Sequence, residues 1–220
     1  MRGLWLIALG LVLAAHAEAD EAMLITRLAP DIRADVVEEA VAAMKCAQTR
    51  GIGGDARRLA IIDYTIPSRE QRLWVVDIEA EQLLFAEHVA HGQGSGHDIP
   101  TAFSDIEGSR QTSLGLFLTD KTYYGGNGYS LKMHGLSKGL NESAMRRYIV
   151  MHGAKYVNPA AAEKMGRLGR SWGCPAVRTE VAIPMIDALK GGHFIYAHGP
   201  GTERLSECEA DRITTASLKR

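Results

Sequence analysis

The sequence carries almost no net charge: 25 basic residues stand against 26 acidic ones, a formal balance of −1. It lacks the large positive field on which nucleic-acid binding draws, so nucleic acid is not an expected partner. No internal repeat, heptad pattern or low-complexity segment is present, which leaves no support for solenoid or coiled-coil designs. Although the chain holds 23 glycines, none of them forms a GxGxxG opening a helix or a GxxxxGK[ST] loop, so a nucleotide site has little support. Thiol redox chemistry would normally show a Cys-x-x-Cys pair, and there is none. A zinc hydrolase needs three protein ligands, and no HExxH block occurs. His88, His91 and His97 with Asp98 are the nearest approach to such a set. In a strand, residues three apart face opposite sides, so His88 and His91 would diverge. No metal and no other cofactor is expected.

Long apolar runs are also scarce. After Arg2, Leu4 to Ala15 form the one extended run, short of the roughly 20 residues a transmembrane helix wants. Small residues at Ala15-His16-Ala17 and Ala17-Glu18-Ala19 offer cleavage sites, so residues 1–19 read as a signal peptide. No cysteine lies near those sites to accept a lipid. The expected product is periplasmic or secreted, with no stable membrane insertion after cleavage. Cysteine is sparse at three residues, and an odd number in an oxidising compartment leaves one thiol free. Cys46 and Cys208 are candidates for a bridge between the first helix and the tail. Alternatively, Cys46 is simply buried.

What is present suits one domain: 220 residues with 46% hydrophobic content can build a real core. Residues 20–54 form a helical segment, with Val37, Ala40, Val41, Met44 and Ala47 at helical spacing and Gly51, Gly53 and Gly54 as the stop. Strand-like runs follow at 59–64, 73–78, 83–90, 114–118, 148–152 and 193–197. The body, residues 55–201, is therefore mainly β in an α+β arrangement. Short helices are expected at 141–147 and 180–189, the second with Val181, Met185 and Ala188 on one face and Pro184 early in it. Residues 202–220 are a polar tail, expected to be loosely held.

The chemistry concentrates around Cys174. Gly173 lets the backbone turn sharply before the thiol, and Pro175 interrupts any regular strand after it. Successive amides, here those of Gly173 and Cys174, are a common cradle for the oxyanion of a tetrahedral intermediate, and removing one such donor costs roughly 3 to 4 kcal/mol. A thiol needs a base, commonly an imidazole, to become the reactive thiolate. His152 ends the apolar run Tyr148-Ile149-Val150-Met151, and Gly153 then turns the chain. His134 also precedes a glycine, but alternation puts it on the side of Lys132, whereas His152 emerges from a run with apolar neighbours on both sides. His152 is therefore the expected base and His134 a rim residue.

His152-Gly153 followed by Ser171-Trp172-Gly173-Cys174 resembles the L,D-transpeptidase catalytic domains of peptidoglycan metabolism, which pair a His-Gly at a strand end with a Ser-x-Gly-Cys loop. Blocks at 103–109, 113–115, 128–131, 149–157 and 169–177 resemble a divergent branch of that family, in order and spacing. The match runs from about Leu59 to about Tyr196. The resemblance implies a β-sandwich-like catalytic fold and a two-step acyl transfer. A thiolate attacks the carbonyl at the L-centre of diaminopimelate in a stem tetrapeptide, D-alanine leaves, and an acceptor amine resolves the thioester. Resolution by water would make the protein a carboxypeptidase or endopeptidase, and a groove without turnover would make it a wall-binding module. Carbapenems are implied as inhibitors acylating the same thiol. The expected catalytic set is Cys174, His152, Ser171 and Gly173, and the expected substrate contacts are His134, Gly153, Trp172, Arg170 and Tyr124, the aromatics as surfaces on which sugar or the peptide stem could stack. One departure stands out: Pro175 and Ala176 occupy places where the family has an aliphatic residue and then Arg or Asn. Arg170 or Arg178 is the candidate replacement for reading a stem carboxylate.

Overall fold

The computed structural model describes residues 18–202. Most of the expected signal segment and of the tail therefore lies outside the described residues. Residues 18–28 form helix α1, and α2 follows at Ala34–Thr49. Gly51, with φ 75°, ends α2 as the glycine run foretells. The strands are β1 (Arg58–Asp63), β2 (Leu73–Asp77), β3 (Gln82–Glu87), β4 (Val89–Ala90), β5 (Gly115–Gly125), β6 (Gly128–Gly135), β7 (Val150–Gly153), β8 (Ala176–Val177) and β9 (Phe194–His198). Helix α3 (Pro159–Met165) precedes β8, and α4 (Thr179–Leu189) follows it.

All nine strands belong to one sheet, in the order β3-β2-β1-β9-β5-β6-β7-β8-β4. Its two outer strands, β3 and β4, are separated in the chain by His88 alone. Their ends are thus within about 7 Å of each other, and the sheet must curl until its edges nearly meet. The mainly β expectation holds, and the sandwich-like layering comes from one sheet folded on itself. Alternation sorts the side chains into two cores. Ala60, Ile62, Val75, Phe117, Leu131, Met133, Met151 and Ile195 pack together with Met185, Ile186 and Leu189 of α4. On the opposite face, Leu59, Ile61, Trp74, Leu116, Phe194 and Tyr196 pack against α1 and α2 through Ile25, Val37, Val41 and Met44. β1 is hydrogen-bonded on both sides and covered on both faces, which is why it reads as an apolar run rather than an alternation.

One expectation changes. Residues 138–148 form a succession of turns rather than a helix over 141–147. The amides there bond at mixed spans, Ala144 and Tyr148 to carbonyls three residues back and Arg147 to one four back, so no run of four-residue bonds builds up. Thr202, the one residue of the expected tail that is described, is anchored. Its buried hydroxyl lies 2.8 Å from the Gly199 carbonyl oxygen and 3.3 Å from Glu39 Oε2. Glu39, on α2, also accepts from the Tyr196 hydroxyl and from His198 Nδ1, each at 2.9 Å, tying α2 to the end of β9. Cys46 is buried in α2 and disulfide-bonded, while Cys208, its expected partner, lies outside the described residues.

Candidate active site

Cys174 is the free cysteine among the described residues and is partly buried. It lies two residues before Ala176, which pairs in parallel with His152 across β7 and β8. Cys174 therefore flanks Val150, two residues back from His152. Strand spacing sets the Cys174 and His152 Cα atoms about 8 Å apart. In the resting structure no hydrogen bond joins the pair. The thiol instead donates to the Tyr148 carbonyl at 3.6 Å. Tyr148 has φ 56°, an uncommon backbone state for a non-glycine residue. Such outliers gather where surrounding structure enforces them for function.

The loop before the thiol is held by Ser171. Its hydroxyl donates to the Cys174 carbonyl at 2.6 Å and accepts from the Gly173 amide at 3.1 Å. The Gly173 amide is therefore committed, and the expected oxyanion pair of Gly173 and Cys174 amides is not available as a pair. Gly173 is required for another reason. At φ 123° a Cβ there would stand 2.7 Å from the Gln111 carbonyl oxygen and 3.0 Å from Ile149 Cδ1. Beneath the loop, Ser171 donates its amide to the His91 carbonyl, and Gln93 donates to the Ser171 carbonyl. The 91–96 glycine-rich turn is thus a bed for the cysteine loop. His91 is fully buried and accepts from Arg72 at 2.8 Å through Nδ1. Burial and the adjacent Arg72 charge push it down to about 4.

His152 is buried at the end of β7, and its Nδ1 lies 3.1 Å from the Gly153 carbonyl oxygen. A carbonyl only accepts, so Nδ1 carries the proton and Nε2 keeps the basic lone pair. Burial lowers the imidazole's affinity for a second proton, the Gly153 carbonyl opposing in part. The ring is thus neutral at pH 7. Burial pushes the Cys174 thiol up, against the Val150 amide and the Arg147 charge, which favour the thiolate. The pair rests as thiol and neutral imidazole.

Arg147 escaped the sequence reading. Its guanidinium donates to the Ser104 carbonyl at 2.6 Å, the Gln111 carbonyl at 2.7 Å, the Ser109 hydroxyl at 3.2 Å and the Ser113 hydroxyl. Asp105 stands 3.6 Å away, and the arginine side chain is only 3% exposed. It fastens the 103–113 segment against the cysteine loop and leaves a buried positive charge beside the sulfur. The available signal was one of position: a charged residue directly before the apolar lead into β7.

The profile of the L,D-transpeptidase catalytic domain matches residues 28–198. The chain belongs to this family. No curated protein matches it. Among solved structures, an L,D-transpeptidase from Mycobacterium smegmatis is similar at 13% identity, over 66% of this chain and 59% of that one, with a TM-score of 0.39. L,D-transpeptidase 1 of Mycobacterium tuberculosis is similar at 14% identity, over 64% of this chain and 62% of that one, with a TM-score of 0.36. An L,D-transpeptidase from Stackebrandtia nassauensis is similar at 13% identity, over 76% and 68%, with a TM-score of 0.39. This chain spans about three fifths of the length of the first of these.

Within this L,D-transpeptidase fold the other expected contacts fall in different places. Ser130 and Lys132 pair with His152 and Val150, so alternation puts His134 on the same side of the sheet. His134 donates from Nε2 to Asp120 at 3.1 Å, which leaves its buried Nδ1 without a partner. Tyr124 pairs with Tyr129 near the β5–β6 turn, their rings 5.1 Å apart. Tyr129 packs on the α4 core and donates its hydroxyl to Asp187 of α4 at 2.7 Å, and Tyr124 itself is exposed. Gly153 serves packing: a Cβ there would meet Ala182 of α4 at 2.7 Å. Arg170 donates to the Gly96 carbonyl at 2.6 Å, and Arg178 forks Glu87. Neither arginine is free to replace the cation missing at Ala176. Trp172, two residues before Cys174, is 70% exposed.

Proposed function

We propose that the protein is an exported peptidoglycan L,D-transpeptidase that works through a thioester on Cys174, with His152 as its proton carrier. The observation that carries this reading is the free thiol of Cys174 next to β7, whose His152 has only Nε2 left as a base. When a stem tetrapeptide occupies the groove, the thiol proton leaves the Tyr148 carbonyl for His152 Nε2. The sulfur bonds to the carbonyl carbon at the L-centre of diaminopimelate, and charge gathers on its oxygen. The Cys174 amide is the donor left on this loop for that oxygen, because Ser171 holds the Gly173 amide. Collapse breaks the C–N bond, His152 returns the proton to the departing nitrogen, and D-alanine leaves. An acceptor amine then attacks the thioester, giving its proton to His152, and the thiol is restored.

Neutral thiol and neutral imidazole suit this sequence, since no ion pair must be broken and the base is unprotonated at working pH. Arg147 and the Val150 amide favour negative charge on the sulfur as it develops. The same thiol is the site at which carbapenems are expected to acylate. Incubation with disaccharide tetrapeptide followed by mass spectrometry tests the reading. A 3-3 crosslinked dimer with release of D-alanine supports it, D-alanine loss alone indicates hydrolysis, and unchanged peptide indicates a binding module.

A further inference from the structure

The arginines around the nucleophile differ in what their guanidinium groups have to do. Arg147, Arg170 and Arg178 are taken up by internal carbonyls, hydroxyls and Glu87. Arg110 is exposed, and its side chain has no hydrogen bond or ion pair among the described residues. Its guanidinium carbon instead sits 4.7 Å from the centroid of the Trp172 ring. Stacking uses the face of the guanidinium and leaves its in-plane N–H groups directed outward, where they can fork a carboxylate.

The platform is fixed in place. Arg110 holds φ 55°, another of the few positive values among non-glycine residues. Its carbonyl accepts from the Gly94 amide at 2.9 Å, and Gly92 packs so closely that a Cβ there would stand 2.3 Å from that oxygen. The next carbonyl, that of Gln111, is held by Arg147. Trp172 stands two residues before Cys174, so the two Cα atoms lie within about 7 Å. Pro175 and Ala176, just after the nucleophile, supply no charge. The cation that reads an anionic substrate here must come from another segment.

We propose that Arg110, carried on the Trp172 ring, is the carboxylate-recognition site of the groove and binds the terminal carboxylate of the residue that leaves the donor peptide. This rests on the stem-peptide reading above. In a tetrapeptide donor that carboxylate carbon is about 4 Å from the carbonyl carbon under attack, so its receptor must adjoin the cysteine loop, as Trp172 does. The diaminopimelate D-centre carboxylate, at the end of a side chain, lies farther off. The site would therefore favour donors that end, as a free acid, one residue past the cleaved bond.

Titration calorimetry on the Cys174→Ala protein tests this without turnover, using the tetrapeptide acid, its C-terminal amide, and the peptide amidated at the D-centre carboxyl. The terminal amide is expected to bind about ten- to a hundredfold more weakly than the acid, the range of a charged hydrogen bond. Amidation at the D-centre should change little. Adding Arg110→Ala should weaken the acid to the level of the amide, and Arg110→Lys should keep part of the preference. Equal binding of acid and terminal amide, a preference that survives Arg110→Ala, or sensitivity to D-centre amidation alone would overturn the proposal. If none of the three peptides binds, the stem-peptide reading itself fails, and this assignment with it.

Discussion

The thiol of Cys174 and the imidazole of His152 are both shifted toward their neutral forms by burial. For the thiol this means a midpoint above the ordinary value, so the thiolate fraction should keep rising with pH through neutrality. For the imidazole it means loss of its proton below the ordinary value, so the ring is already neutral when the thiol is still protonated. Iodoacetamide alkylation of Cys174 should thus climb steadily from pH 5 to 9. A plateau between pH 5 and 7, the mark of a resident thiolate–imidazolium pair, would contradict the resting state described above. Arg147→Met should shift the alkylation profile further toward alkaline pH, because it removes the buried charge that favours the thiolate. The two histidines separate in the same way. His152→Ala should slow acylation by a factor on the order of 100 or more, the scale of general-base loss. His134→Ala should mainly weaken substrate binding, since its ring is tied to Asp120. Stopped-flow acylation reversed between the two variants would exchange their roles. Cys174 and His152 stood out in the sequence because each adjoins a glycine, His152 also at the end of an apolar run, whereas Ser171 was singled out only through the family motif. Arg147 and Arg110 did not stand out, because their meaning lies in contacts across the 103–113 segment.

Among the elements, those with an unbroken apolar run were legible: β1, β2 and β9 appear within a residue or so of their expected limits. The run at 83–90 is divided at His88, because the chain passes there from one outer strand of the sheet to the other. α3 was missed although its signals are local. Asn158 accepts from the Ala161 amide at 3.0 Å, Pro159 opens the helix, and Gly166 closes it at φ 70°. Its alanine-rich body offered no apolar periodicity to find. Asn158→Ala should lower stability by about 1 kcal/mol through loss of the cap, read as a lower urea midpoint with unchanged slope. A midpoint equal to that of the parent protein would show that the cap contributes nothing. The helix expected at 141–147 failed for the converse reason. Its composition allows a helix, but its backbone bonds mix three- and four-residue spans, so the chain passes through successive turns instead.

At the scale of the whole molecule, the sheet brings two segments distant in sequence to one place. β7 and β8 are separated by α3 yet pair in parallel, and that pairing sets Cys174 beside the start of β7. Alternation in the sequence indicated which residues face a core, but the curl of the sheet follows from pairings between remote strands, which local patterning does not encode. Among the described residues no helix is long and apolar enough to cross a membrane. The most direct measurement is release of D-alanine from disaccharide tetrapeptide, followed together with the intact mass of the protein under rapid acid quench. The parent should show one acyl group in thioester linkage to Cys174 in step with D-alanine release, and Cys174→Ala should show neither. Equal D-alanine release by Cys174→Ala, or release by the parent with no adduct at any quench time and the acyl group found on another residue, would contradict a mechanism through this thiol.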